Sequence, residues 1–86
     1  MTKILFVCLG NICRSPMAQF VMQELVRREG LADQFQIESA ATSREEIGNP
    51  PHHGTRRKLA QMGIPMGQHR ARQMTAADYQ EYDLLI

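Results

Sequence analysis

Apolar positions fall in two rhythms along this chain. Ile4-Leu5-Phe6-Val7 is an unbroken apolar run, and Lys3 to Val7 reads as a first strand buried on both faces. Beyond Pro16 the rhythm changes. Ala18, Val21, Met22, Leu25 and Val26 recur at helical spacing, with Gln19, Gln23, Glu24, Arg27 and Arg28 on the opposite face. Ser15 is placed to cap this helix, Pro16 suits its first position, and Gly30 stops it. Phe35 to Ala40 reads as a second strand, so the unit is a right-handed crossover joining a parallel pair. Thr42 to His53 is a loop set by Gly48, Asn49, Pro50 and Pro51. A short helix from about Thr55 to Met62 follows, stopped by Gly63. Pro65 to Gln73 is irregular and basic. Thr75-x-x-Asp78 has the spacing of a capping box and opens a brief helix to about Glu81. Asp83 to Ile86 starts a third strand. The expected class is α/β, a parallel sheet flanked by helices.

The chemistry concentrates where the first strand meets the first helix. Cys8-Leu9-Gly10-Asn11-Ile12-Cys13-Arg14-Ser15 is C-x5-R followed by a hydroxyl residue. A helix N-terminus leaves backbone N–H groups without partners and carries partial positive charge, so it suits an oxyanion. Leu9, Gly10, Asn11, Ile12 and Cys13 are enough chain to curl around one tetrahedral anion with their amides turned inward. Gly10 permits positive φ or close backbone approach, and Asn11 tolerates the left-handed region. Arg14 would close the cup with a planar fork matched to two phosphate oxygens. Cys8 would be the nucleophile, its thiol acidified by the helix end, by the cation and by a hydrogen bond from Ser15. In-line attack on phosphorus would give a cysteinyl-phosphate that water hydrolyses. The scheme calls for no metal and no cofactor, because Arg14 and the amides carry the positive charge. The bare spacing is weak, since a lone Cys after an apolar strand is commonly a small buried residue. The strand before it and the helix after it give it weight.

Val7 to Ala18 resembles the signature of the low-molecular-weight protein tyrosine phosphatases, at the N-terminal place that family uses. Further segments are similar in order: Glu38 to Ser43, Ile47 to Pro51, Gly63-Ile64, His69 to Thr75, Asp78-Tyr79 and Tyr82 to Ile86. The resemblance thus covers the whole chain. It implies a flavodoxin-like or Rossmann-like phosphatase architecture, incomplete at the C-terminus. It makes Cys8 the nucleophile, Arg14 the phosphate clamp and Ser15 the thiolate partner. Asn11 would hold the loop through Ser39, and Ile12 with the stretch from Glu45 to Asn49 would border the aryl pocket. An aromatic residue often lines that rim in the family; here Arg44, Glu45 and Glu46 stand there. The family's general acid is an Asp in an Asp-Pro-aromatic motif far toward the C-terminus. Here Asp stands at 33, 78 and 83, and none precedes Pro. The chain therefore reads as residues 1–86 of a single phosphatase domain, with the acid outside it and turnover impaired at this length. A general acid contributes about 10²–10⁴ in rate.

Composition bounds the partners. With 86 residues the chain is at most one domain, and its formal net charge of +1 suggests neither nucleic acid nor a membrane surface. No apolar run is long enough to span a bilayer and no signal peptide is evident, so the expected location is cytoplasmic. The expected partners are a phosphotyrosine protein substrate and inorganic phosphate or a similar oxyanion in the loop. Leu84, Leu85 and Ile86 read as core strand residues, so a chain of this length is expected to self-associate through an unfinished sheet edge. The only cysteines, Cys8 and Cys13, read as reactive thiols, with Cys13 either trapping an oxidised Cys8 or acting as a spacer. His52 and His53 match no common zinc spacing and read as exposed loop residues. Arg56, Arg57 and Lys58 read as a solvated helix face.

Three rivals share part of this pattern. An arsenate reductase has the same loop but needs further cysteines, and none lies between Ser15 and Ile86. Protein-arginine phosphatases tend to carry a small polar residue where Ile12 stands, and the apolar Ile12 suits an aromatic ring. A phosphate-binding module with little turnover gains weight from the missing acid.

Overall fold

A computed structural model describes residues 1–86. The order along the chain is β1 (Thr2–Cys8), α1 (Arg14–Arg28), a 3-10 turn at Ala32–Gln34, β2 (Phe35–Ala41), α2 (His53–Gln61), α3 (Asp78–Glu81) and β3 (Leu84–Leu85). The three strands form one parallel sheet in the order β2-β1-β3, which is the α/β arrangement the sequence predicts.

Alternation along β1 builds two cores. Ile4 packs with Val26 of α1 and Ile37 of β2, and Phe6, Met22 and Phe35 pack around them. On the other face Leu5 packs with Ala40 and Tyr82, flanked by Val7, Met74 and Leu85. The central strand is therefore buried on both sides, as its apolar run implies. Register then carries chemistry. Ser39 pairs with Phe6 and Ala41 with Cys8. Side chains alternate along a strand, so Ser39 shares the α1 face with Cys8.

Both longer helices stop the same way. Gly30 takes φ 71 and Gly63 takes φ 68. After α1 the Leu31 N–H bonds the Val26 carbonyl at 2.8 Å and Gly30 bonds Arg27 at 3.1 Å; after α2 Ile64 bonds Leu59 at 2.9 Å and Gly63 bonds Ala60 at 3.1 Å. These are paired Schellman closures, and a left-handed residue is what glycine supplies there.

The fold corrects the sequence reading at several points. α1 begins at Arg14 with Cys13 at the N-cap, so Ser15 is not its cap and Pro16 is its third residue. The Ser15 hydroxyl is engaged elsewhere. Helix rotation differs too. Leu25, expected in the core, is 52% exposed, while Gln19 and Glu24, expected in solvent, are buried. The rotation brings Ser15, Gln19 and Val26 over the sheet, where Gln23 also donates to the Ile37 carbonyl at 2.8 Å. Glu24 accepts from Arg27 at 2.7 and 2.6 Å and from Arg28 at 2.8 Å. The Arg27 and Arg28 guanidiniums hold its carboxyl down at about 2, against an ordinary 4.5. α2 starts at His53, and His52 is its N-cap, accepting the Gly54 N–H on Nδ1 at 3.1 Å; both histidines are exposed. The Thr75–Asp78 box is half made: Asp78 accepts the Thr75 N–H at 2.7 Å, but the helix begins at Asp78.

The irregular segment is tied down rather than loose. Ala41 donates to the Arg72 carbonyl and Met74 donates to the Ala41 carbonyl, both at 2.7 Å, so residues 72–74 run beside the end of β2. Ala71 exchanges bonds with the Gly48 N–H and the Asn49 carbonyl, both at 2.8 Å. Arg70 bonds the Gly48 carbonyl at 3.0 Å, and Arg72 grips Asp78 with two bonds at 3.1 and 3.0 Å. Along the edge strand β3 and just beyond it, Leu84 and Ile86 remain exposed.

Candidate active site

β1 ends at Cys8 and α1 begins at Arg14, so the loop between them must turn from sheet to helix in five residues. Asn11 makes that turn possible with φ 58, the one non-glycine positive φ in the chain. The left-handed position therefore belongs to Asn11 and not to Gly10. At Gly10 the missing side chain leaves room for Glu46, whose Cγ would lie 3.4 Å from an added Cβ.

Asn11 is fully buried and its side chain is the hub of a polar network. Its Nδ2 donates to Ser15 Oγ at 2.8 Å and to Ser39 Oγ at 2.9 Å. Ser39 Oγ in turn donates a hydrogen bond to Gln19 Oε1 at 2.5 Å. Asn11 Oδ1 accepts the Arg72 N–H at 3.2 Å, and the Asn11 carbonyl lies 3.3 Å from His69 Nε2. Since Ser15 Oγ accepts from Asn11, its own proton is left for Cys8 Sγ, 3.0 Å away. The polar groups around Asn11 are thus partnered, as burial demands; Ser43 Oγ is the one buried side-chain polar atom left without a partner.

The sulfur feels that arrangement. Burial pushes the Cys8 thiol up. Against it stand the Ser15 hydroxyl and the N–H groups of Ser15, Asn11 and Gly10, and together they bring the thiol below its ordinary 9.0. The Asn11 N–H lies 3.3 Å from Sγ. No backbone carbonyl accepts from the N–H of residues 9, 10 or 12–15. These donors ring the loop at the N-terminus of a 15-residue helix with no side-chain cap.

Two cavities border the sulfur. One, of about 260 Å³, is shared with Phe6, Arg14, Ser15 and Ala18; the other, of about 240 Å³, has Leu9, Gly10, Ile12, Cys13, Arg14, Glu45 and Glu46 in its walls. Cys8 and Arg14 therefore face the same space. Arg14 is exposed and takes part in none of the chain's ion pairs. Cys13 is a free, exposed thiol. Of the stretch from Glu45 to Asn49, only Glu45 and Glu46 reach the cavity wall. Glu46 is held by Asn49 Nδ2 at 2.6 Å.

The structure adds residues that patterning missed. Gln19 reads as a solvent-face residue in sequence, and His69 and Arg72 as parts of a basic irregular stretch. Their only sequence signal is the Asn11 amide itself, which cannot be buried without several partners.

The sequence model of the family "Low molecular weight phosphotyrosine protein phosphatase" matches residues 3–86. The protein of that name from Rattus norvegicus is 48% identical over 84 residues, covering 98% of this chain and 52% of the relative. The crystal structure of YfkJ from Bacillus subtilis superposes with a TM-score of 0.97 at 42% identity, covering 99% of this chain and 54% of that one. The crystal structure of DARP, a Drosophila arginine phosphatase, has a TM-score of 0.91 at 33% identity, covering 98% and 52%. The chain spans about half the length of these relatives. A strand-delivered thiol, an amide-rimmed loop with Arg at its end, and this similarity over nearly every residue have one meaning: the chain belongs to the low molecular weight phosphotyrosine protein phosphatase family.

Proposed function

We propose that this chain carries the nucleophile-bearing part of a protein tyrosine phosphatase domain, acting on phosphotyrosine through a cysteinyl-phosphate. The observation that carries this reading is the sulfur's setting: Cys8 Sγ takes hydrogen bonds from Ser15 Oγ and the Asn11 N–H, inside a loop whose other N–H groups have no carbonyl partner. The thiolate attacks phosphorus and an S–P bond forms. The bond from phosphorus to the phenolic oxygen breaks, its electron pair leaves with that oxygen, and a proton neutralises it. Water then attacks phosphorus, the S–P bond breaks, and inorganic phosphate leaves with the thiolate restored. Arg14 and the amides of residues 9–13 bind the equatorial oxygens, where the transition state carries its charge.

The chain's own aspartates do not suit the proton donor. Asp78 is gripped by Arg72, which together with the Thr75 N–H holds it in its charged form against the effect of burial. Asp83 accepts the Lys3 N–H at 2.8 Å, and Asp33 lies in the 3-10 turn before β2. Activated leaving groups need no donor. Hydrolysis of p-nitrophenyl phosphate tests the reading: phosphate release that is lost in Cys8→Ser supports it, and release that persists in that variant sinks it. Phosphotyrosine peptide is expected to turn over far more slowly, by about the 10²–10⁴ a general acid supplies.

Ile12 in the cavity wall favours a flat apolar ring over a phosphoguanidine, which sets phosphotyrosine ahead of phosphoarginine. The location that fits this chemistry is the cytoplasm. Chains of this length would pair along β3, where Leu84 and Ile86 are exposed, and sedimentation at rising concentration would show it.

A further inference from the structure

A cavity larger than either one at Cys8 lies elsewhere in the molecule. It measures about 600 Å³ and shares no wall residue with either cavity that borders the sulfur. Its walls include Pro50, Pro51, Arg56, Gln68, His69 and Arg70, and no carboxylate lines it. Arg56 lies in the first half of α2, a helix with no acidic residue in its first turn, and belongs to none of the chain's ion pairs. Two guanidiniums, an imidazole and an amide therefore share one concave space with no built-in counter-charge. Such a set recognises an oxyanion, because each guanidinium offers a planar fork.

The walls are also held in place. Arg70 is anchored through Nη1 to the Gly48 carbonyl at 3.0 Å. His69 is half-buried, with Phe20 edge-on at 6.1 Å and Nε2 against the Asn11 carbonyl at 3.3 Å. Pro50 and Pro51 stiffen the opposite side, and the His52 N–H ties that loop to the Ile12 carbonyl at 2.7 Å. The backbone walls and Arg70 are thus fixed, and the exposed Arg56 side chain is what a ligand would order. The volume lies in the range of small-molecule sites, about 300–1,000 Å³, and exceeds what a bare phosphate fills.

We propose that this cavity is a second anion site, separate from the nucleophile loop, that takes a small organic phosphate monoester through Arg56 and Arg70. The ligand's non-phosphate part lies against Pro50 and Pro51.

Glycerol phosphate, titrated into the isotope-labelled chain and followed by amide NMR, tests this. The amides of Gly67, Gln68 and His69 are expected to shift saturably. Arg14→Ala, which weakens the loop at Cys8, is expected to leave those shifts in place. Arg56→Glu and Arg70→Glu, each tested alone, are expected to weaken them by about tenfold or more, the scale of one charge-assisted contact. In Arg56→Glu the loop amides of Gly10 and Ile12 are expected to keep responding, which shows an intact fold. The proposal is overturned by shifts confined to residues 8–14, by loss of the cavity shifts in Arg14→Ala, or by equal shifts with sodium chloride at the same ionic strength. Cys8-dependent hydrolysis of p-nitrophenyl phosphate does not depend on the outcome, so this idea and the phosphatase reading fail separately.

Discussion

α1 and α2 end alike and begin differently. Each closes on a left-handed glycine with the same pair of backbone bonds. At its start α2 is capped by His52, which takes the Gly54 N–H. α1 starts on Cys13 with no side-chain cap, although Ser15 and Asn11, both good capping residues, are at hand. Their polar atoms are spent on the sulfur and on each other. At the capped end one first-turn N–H, that of Gly54, is already taken by a side chain of its own segment. In the proposed reaction the uncapped end of α1 keeps its N–H groups for the phosphoryl oxygens, and the two helix starts differ in where two short side chains point.

Removing the cation from the uncapped end is the strongest way to break this contrast. Arg14→Ala is expected to lower the rate on p-nitrophenyl phosphate by about 10²–10³, the usual scale for losing one oxyanion donor. Its melting temperature should barely move, since Arg14 is exposed and unpaired; a large drop in stability would make Arg14 structural instead.

Asn11 comes next. Asn11→Ala strips Ser15, Ser39 and the Arg72 N–H of a buried partner and puts Ala at φ 58. A loss of about 2–4 kcal/mol in urea unfolding is expected, from unsatisfied groups and strain together. Asn11→Gly relieves only the strain, so it should recover no more than about 1–2 kcal/mol of that. Full recovery by glycine would reduce the network to a bystander.

Ser15→Ala sharpens the comparison at the sulfur. In the intact chain the pH midpoint for iodoacetamide labelling of Cys8 should lie below 9.0, the thiol's ordinary value. The hydroxyl stabilises the thiolate, so its loss moves the midpoint upward, while burial continues to press in the same upward direction. A midpoint that stays put would remove Ser15 from the scheme.

The smallest effect belongs to the capped end. His52→Ala should cost about 0.5–1 kcal/mol of stability, as exposed caps do, and leave the labelling midpoint of Cys8 unchanged. A change in Cys8 reactivity would mean the two helix starts are not independent.

Local chemistry was legible from residues alone. An apolar run flanked by Cys8 made β1, Gly30 and Gly63 stopped their helices, and C-x5-R put a thiol and a guanidinium on one loop. Those features depend on backbone sterics and on spacing within a few residues, which the chain carries wherever it folds. What lies underneath the loop was not legible. Gln19 and Glu24 read as solvent-facing, yet one closes the Asn11 network and the other is sealed by two arginines. His69 and Arg72 reach Asn11 from 58 and 61 residues away. The rotation of α1 over the sheet and the parallel register of β2 against β1 decided these contacts. Both are set by how whole faces pack: Asn11 and Gln19 are buried where partners from distant segments meet them, whereas Glu24, turned inward by the same rotation, finds Arg27 and Arg28 on its own helix.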